Sequence, residues 1–261
     1  MECQIFDKLT EKIRMGEKAA LATLVKKTGT SPAKLGMMMV VFEDGKTLGT
    51  IGGGDMEFRT VKKCLERIES EESGYEVFSS SGCEDKSEKN DYDSSSEIFI
   101  RVFIPKNRIL IVGCGHVGTN FYNVARTQNF DIALFDDREE FCNRDRFPEG
   151  ELFLGNVPEN LRSYNISEKT YVVVCRHNHE ADQKALETLI GRGAAYIGML
   201  GSRKKIKNIK GNLTEKGFSE EELNEIVTPI GIDVGSSAPD ELGVGIMAQI
   251  LIEKNKVSEK Q

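Results

Sequence analysis

The 261-residue chain predicts a two-part α/β protein: a smaller N-terminal α+β domain over residues 1–105 and a larger domain over 106–261 built on a parallel sheet. Three observations carry this reading. From Arg108 the apolar run RILIV meets a glycine turn, a helical pattern and a second strand that closes on Asp136. The run Tyr171 to Cys175 (YVVVC) is apolar without interruption, as an interior parallel strand covered on both faces must be. Ahead of residue 105, short β-capable runs joined by hairpin turns alternate with two helical patterns, and Pro105-Lys106-Asn107 breaks the chain between the parts.

In order, Glu2 to Arg14 places Ile5, Phe6, Leu9 and Ile13 at helical spacing. Ala19 to Lys26 is apolar and β-capable, and residues 28–36 are rich in turn formers and read as a loop. Met37 to Phe42 and Lys46 to Ile51 are strands joined at Asp44-Gly45. The triple glycine Gly52-Gly53-Gly54 with Asp55 then leads into a helix over Met56 to Ile68. Consecutive glycines at a helix start either form a nest of N–H donors for an anion or make a tight turn with Asp55 near the N-cap. Residues 79–97 are almost wholly polar and predict a mobile surface loop. The strand Ile98 to Ile104 closes the part, with apolar side chains on both of its faces.

In the second part, Gly113, Gly115 and Gly118 stand in G-x-G-x-x-G order between the first strand and a helix over about Val117 to Gln128. Asp136 follows Gly118 by 18 positions, near the roughly 20 expected of an acid that meets a ribose. This spacing in this context is the Rossmann nucleotide fingerprint. Its first glycine makes the turn, its second lets backbone approach a phosphate, and its third packs helix on strand. Candidate cofactor contacts are therefore Gly113, Gly115, His116, Val117 and Gly118, with Asp136, Asp137 and Arg138 at the next strand end. The alternative is a glycine turn that serves the fold alone or holds another phosphate ligand.

Beyond Asp136 the chain is charged and aromatic to Phe153, and Asn156 to Leu161 reads as a turn with a short helix. A helix over Asp182 to Ile190, a strand over Ala194 to Met199 and a turn at Gly201-Ser202-Arg203 into a basic helix come after Cys175. Arg203 to Lys210 reads either as an anion contact at its start or as a solvated face. Helices over about Ser219 to Ile226 and Pro239 to Glu253 end the pattern, the last with Ser237 placed as N-cap and Asp240-Glu241 in its first turn. All three histidines, His116, His177 and His179, fall where parallel strands end, the edge at which open α/β sheets bind ligands. His177, His179 and Asp182 are the candidate catalytic groups, since imidazoles titrating near neutrality suit proton transfer. His177-x-His179 could instead ligate a metal with His116 as a third nitrogen, but no carboxylate spacing completes a zinc pattern, so no metal site is predicted.

A net charge of −7 argues against a general nucleic-acid or anionic-membrane binder. No stretch approaches a membrane span and the N-terminus has no secretory h-region, so the expected location is cytoplasmic. The six cysteines (Cys3, Cys64, Cys83, Cys114, Cys142, Cys175) form no C-x-x-C pair and predict free thiols. A homodimer is expected from the small core available to the N-terminal part.

Taken together, Gly29-Thr-Ser-Pro32, Gly36, Gly49 to Gly54 with Glu57, Gly113 to Gly118, Asp136-Asp137-Arg138, His177 to Asp182, Tyr196 to Arg203 and Pro229 to Asp233 resemble the xanthine dehydrogenase accessory factor (XdhC/CoxI) family over most of the chain. The resemblance implies a factor that binds molybdenum cofactor (molybdopterin), helps its sulfuration, and delivers it to a xanthine dehydrogenase-type molybdenum hydroxylase, with a cysteine desulfurase as a further partner. It adds Gly52, Gly53, Gly54, Asp55 and Glu57 to the cofactor-binding candidates, with Gly201, Ser202 and Arg203. Two departures bear on sulfur. Family members carry cysteine directly after the triple glycine, where this chain has Asp55, and a later Cys-Gly-Gly, where this chain has the polar loop around Cys83. A carboxylate cannot carry sulfur, which leaves Cys83 or Cys114 as substitutes. Whether the chain is an enzyme stays open: an NAD(P)-dependent oxidoreductase would use Asp136 for ribose and His177 or His179 as acid/base, and a dinucleotide-sensing module would bind without chemistry.

Overall fold

The structure, a computed structural model, describes residues 2–28, 33–79, 95–176 and 178–258. Residues 29–32, the span 80–94 with Cys83, and His177 lie outside the described residues, and with them most of the polar loop expected over 79–97. The chain divides into two compact units, Met1–Pro105 and Lys106–Gln261.

The first unit comprises α1 (Glu2–Arg14), β1 (Ala19–Lys27), β2 (Met38–Phe42), β3 (Thr47–Gly49), α2 (Gly54–Ser70), β4 (Gly74–Ser79) and β5 (Ser95–Phe103). Its antiparallel sheet has the order β3-β2-β1-β5-β4. Alternation along β1 serves both faces: Ala19 and Leu21 meet Ile5 and Leu9 of α1, whereas Ala20, Ala22 and Leu24 meet Cys64 and Ile68 of α2. The small alanines let both helices approach the central strand.

The second unit comprises β6 (Arg108–Val112), α3 (His116–Ala125), β7 (Asp131–Asp136), β8 (Glu151–Leu154), α4 (Val157–Ser163), β9 (Thr170–Val174), α5 (His179–Leu189), β10 (Tyr196–Met199), α6 (Arg203–Glu215), α7 (Glu220–Asn224), β11 (Ile226–Val227) and α8 (Pro239–Ser258). All its strand pairs are parallel, in the order β11-β10-β9-β6-β7-β8. The chain winds outward from β6 to β8, returns to lay β9 beside β6, and winds out the other way. This is the doubly wound Rossmann arrangement, and its two directions part at the carboxyl ends of β6 and β9, where such sheets open a crevice. Ile109 and Ile111 pack with Phe121 and Ala125 of α3 and with Ile246 and Ile250 of α8, while Leu110 and Val112 pack with Leu161, Leu186 and Leu213 of α4, α5 and α6. Covering helices on both faces explain the unbroken apolar runs of β6 and β9.

Several boundaries differ from expectation for local reasons. The helix α2 starts inside the triple glycine with Gly53 as its N-cap, so Asp55 stands in the first turn and not at the cap. Pro239 opens α8, which puts Ser237 one position outside the cap. The strands β4 and β11 have no counterpart in the sequence reading.

Candidate functional site

The exit of β6 is shaped by close approach. Gly113 has φ 121°, and a Cβ there would lie 2.5 Å from Cys175 O and 2.9 Å from Arg176 N, so only glycine lets this turn lie against the exit of β9. A Cβ on Gly118 would overlap the carbonyl oxygen of Gly113. Gly115 differs: it is the N-cap of α3, its backbone is extended (φ −70°, ψ −165°), and a Cβ there meets nothing within 4 Å. With no side chain at the cap and no acid in its first turn, α3 presents an uncapped, partly positive amino end at the crevice. His116 is exposed at that end, and Val117 packs its side chain against the core.

Asp136 ends β7 and is 0% exposed. Its Oδ2 accepts from the Cys114 backbone N–H (2.7 Å) and Arg138 Nη2 (2.9 Å), and its Oδ1 from Arg138 N (3.1 Å) and Arg138 Nε (2.9 Å). Burial raises its pKa, but the Arg138 guanidinium and the backbone donors outweigh burial and hold the carboxyl at about 2. The acid expected at a ribose is thus spent inside the protein, tying the glycine turn to β7. Arg138 stacks on the Phe141 ring at 4.1 Å.

The next acid is open. The Asp137 side chain is 47% exposed and its Oδ2 lies 2.7 Å from Nη2 of Arg176, a residue only 8% exposed at the end of β9. Asp182, in the first turn of α5, is fully buried; its Oδ1 accepts from Arg176 N (2.9 Å) and its Oδ2 pairs with Lys205 of α6. Burial, the largest influence, raises the Asp182 pKa against the pull of Lys205 and Arg176. Asp182 therefore acts as a clamp joining the starts of α5 and α6 to β9, which is not the setting of an acid/base that meets substrate. Ser202 accepts from Lys205 N (3.3 Å) as the N-cap of α6, and Gly201 lies against the Lys205 stem. Arg203 is the first residue of α6, and His179 is exposed at the first residue of α5.

Arg176 and Lys205 were not singled out as ligand or clamp residues by the sequence. Arg176 directly follows the YVVVC run, a position that marks it as the first polar side chain at the sheet edge. Nothing local distinguishes Lys205 from its basic neighbours.

The triple-glycine loop of the first unit is also closed from within. Gly52, Gly53 and Gly54 all have positive φ (127°, 78° and 71°). Glu57 Oε2 reaches back into the loop and accepts from Thr50 Oγ1 (2.5 Å), Gly53 N (3.0 Å) and Ile51 N (3.2 Å). Burial raises the Glu57 pKa and these three donors bring it, on balance, below the usual carboxylate range. The nest holds an anion, and that anion is the protein's own carboxylate. Asp55 is exposed and pairs loosely with Arg59 at 3.6 Å.

Cys114, Cys142 and Cys175 are buried free thiols around the glycine turn. The Cys175 Sγ donates to Gly113 O (3.3 Å), and burial pushes its pKa up to about 12. Cys114 is raised by its hydrogen bond to Cys142 and by burial. Among the described residues no group of three or more His, Cys, Asp or Glu side chains could hold a metal ion, and no helix is long and apolar enough to cross a membrane.

Comparison with known proteins agrees with this architecture. Residues 109–250 match the XdhC Rossmann domain and residues 13–79 match the XdhC and CoxI family. The chain is 28% identical over 240 residues to the uncharacterized protein YqeB of Escherichia coli K12, covering 90% of this chain and 43% of that protein. It is 24% identical over 168 residues to a Bacillus subtilis 168 protein named as a probable subunit of xanthine dehydrogenase, covering 64% of this chain and 49% of that one. The chain thus spans under half the length of each of these relatives. A crystal structure described as a xanthine dehydrogenase from Bacillus halodurans superposes with a TM-score of 0.52 at 19% identity over 95% of both chains, a likeness of fold. The matched domain alone covers more than half of the residues, and the chain belongs to the XdhC and CoxI family.

Proposed function

We propose that this protein is an accessory factor for a xanthine dehydrogenase-type molybdenum hydroxylase, and that it binds the phosphorylated molybdenum cofactor and hands it to that client enzyme. Family membership supports the accessory role. The observation that carries the binding step is the uncapped amino end of α3, with open space at Gly115. A phosphate there would accept from the first-turn N–H groups and gain from the helix dipole. The Gly52–Gly54 loop fits an anion less well while Glu57 takes the Gly53 N–H and the Thr50 hydroxyl takes that of Gly52.

Bound molybdopterin would supply the dithiolene that carries the metal; this chain's residues would hold the phosphate end and keep water from it. Sulfuration of the cofactor draws no support from Cys114 or Cys175, while the buried Cys142 has its pKa lowered by the hydrogen bond from Cys114. Asp55 stands where the family pattern has cysteine, and the buried Cys114 and Cys175 thiols have raised pKa values, which keeps them protonated and unreactive at neutral pH. Binding and delivery are the steps that the geometry of α3 supports. A hydride-transferring oxidoreductase draws no support from Asp136, whose oxygens are already occupied.

The test is to purify the full chain from cells that make molybdenum cofactor and to quantify released pterin by fluorescence after oxidation. Wild type should retain pterin, and Gly115→Asp should lose most of it, because the new carboxylate would cap α3 and displace the phosphate. Pterin retained equally by both would overturn the site.

A further inference from the structure

Two thiols meet beneath the glycine turn. Cys114 stands between Gly113 and Gly115 and is 0% exposed, and Cys142 lies in the segment between β7 and β8 and is 3% exposed. They belong to one buried cluster, where the Cys114 thiol is hydrogen-bonded to Cys142. Neither phosphate binding nor delivery uses this contact. A buried cysteine ordinarily serves as a small apolar side chain, and two of the chain's cysteines fit that role. Cys175 gives its S–H to Gly113 O (3.3 Å), and Cys64 sits in the core of the other unit with its pKa pushed up to about 12 by burial.

Cys142 does not fit it. The hydrogen bond from Cys114, helped by backbone groups of Asp136 and Phe153, lowers its pKa against burial and the nearby Asp136 carboxylate. A thiol held in this way carries more thiolate, the form that attacks an oxidant. Access needs little movement: Cys142 lies among turns, with half-buried Phe141 and Asn143 on either side, so a local opening admits a molecule close to water in size. Cys114 is inert by itself, because its hydrogen bond to Cys142 and burial raise its pKa. Once Cys142 carries oxygen, the larger of these two causes is gone. An attacking thiol beside a resolving thiol is the arrangement of reversible thiol oxidation.

We propose that Cys114 and Cys142 form a reversible disulfide on meeting hydrogen peroxide, with Cys142 attacking and Cys114 resolving, and that the bond fastens the glycine turn to the segment after β7. The Cys142 sulfur attacks one peroxide oxygen and the O–O bond breaks. Cys142 becomes a sulfenic acid, and the departing hydroxide takes the proton that Cys142 gave up and leaves as water. The Cys114 sulfur then attacks the sulfenic sulfur, the S–O bond breaks, and the Cys114 proton leaves with that oxygen as a second water. The two thiols lose two electrons in all, and the peroxide gains both; a reducing dithiol reverses the change. The segment already touches the helix through Arg146, which donates to Thr119 Oγ1 of α3 (2.6 Å), so the disulfide links turn, helix start and segment into one piece. The proposal does not depend on what α3 holds.

The test is to treat the folded full chain with hydrogen peroxide at pH 7, alkylate the remaining thiols, and map the tryptic peptides by mass spectrometry. Cleavage at Arg108, Arg126, Arg138 and Arg144 leaves Cys114 on residues 109–126 and Cys142 on residues 139–144, each the sole cysteine of its peptide. The two peptides should appear joined, two hydrogens lighter than their sum, and should separate after dithiothreitol. Joining should run at least about tenfold faster than oxidation of the exposed Cys3. In Cys114→Ser a dimedone adduct should accumulate at Cys142, whereas Cys175→Ser should leave the joining intact. Hydrogen exchange across residues 113–119 should slow by about tenfold or more in the oxidised protein. Three results would each overturn the disulfide: no joined peptides in wild type once Cys3 is oxidised, a bond from either residue to another cysteine, or no adduct at Cys142 in Cys114→Ser. Joined peptides with unchanged exchange would overturn the fastening of the turn.

Discussion

Glu57 shows how one side chain decides what a glycine loop does. Three glycines with positive φ turn the loop back on itself, and the carboxylate four residues beyond Gly53 accepts from the Gly53 and Ile51 N–H groups and the Thr50 hydroxyl. Charge-assisted bonds of this kind contribute about 1.5–3 kcal/mol each, net of the exchange with water. The sign of the pKa shift fixes the pH window: a carboxyl lowered on folding stabilises the loop above its unfolded value and releases that stability as pH falls through the folded value. Glu57→Gln should therefore increase hydrogen exchange across residues 50–57 by about tenfold or more at pH 7, with the gap narrowing in acid as the wild-type carboxyl protonates. Equal exchange in the two proteins at pH 7 would mean that the carboxylate is not what closes the loop. In the sequence Glu57 is a cofactor-binding candidate only through the family resemblance. The direction of its side chain is not legible there.

At the scale of elements, the β6–turn–α3–β7 unit was legible because each of its glycines answers a separate steric demand that spacing records. Gly113 lies against Cys175, Gly118 against Gly113, and Gly115 against open space. Two variants separate these demands. Gly118→Ala forces a Cβ onto a backbone carbonyl and should lower stability by about 1–3 kcal/mol. Gly115→Asp adds a side-chain cap in an extended backbone any residue adopts, and should raise it by about 0.5–1 kcal/mol. Thermal denaturation followed by circular dichroism should move in opposite directions for the pair; a drop with Gly115→Asp would show that the amino end of α3 is not open. What escaped the sequence had equally local causes. In β4, Tyr75 and Val77 face outward while Glu76 turns inward to Arg67 (2.8 Å), so its alternation is inverted. The strand β11 is two residues long and exists through pairing with β10, too short for any period to register. The Asp182–Lys205 clamp joins residues from two helices and has no signature in either.

On the scale of the molecule, the two units have separate cores, and each holds a carboxylate inside a glycine turn, Glu57 in the first and Asp136 in the second. Asp136 gives the stronger handle. Its folded pKa of about 2 lies below the roughly 3.9 of an unfolded aspartate, a difference of about 2–3 kcal/mol at neutral pH. Because the shift is downward, this stability is complete above about pH 4 and is lost as pH falls toward 2. Asp136→Asn keeps the shape but removes the charge that Arg138 meets, and its amide N–H₂ would turn a donor toward donors already buried. The variant should therefore raise hydrogen exchange in β6, β7 and the glycine turn at pH 7, and match wild type once the pH is low enough to protonate Asp136. Exchange in β1 and β5 should stay at the wild-type level, since their packing belongs to the other core. If strands of both units loosened together, the two cores would be one cooperative structure, and a ligand held by α3 would be read out through the first unit as well as the second.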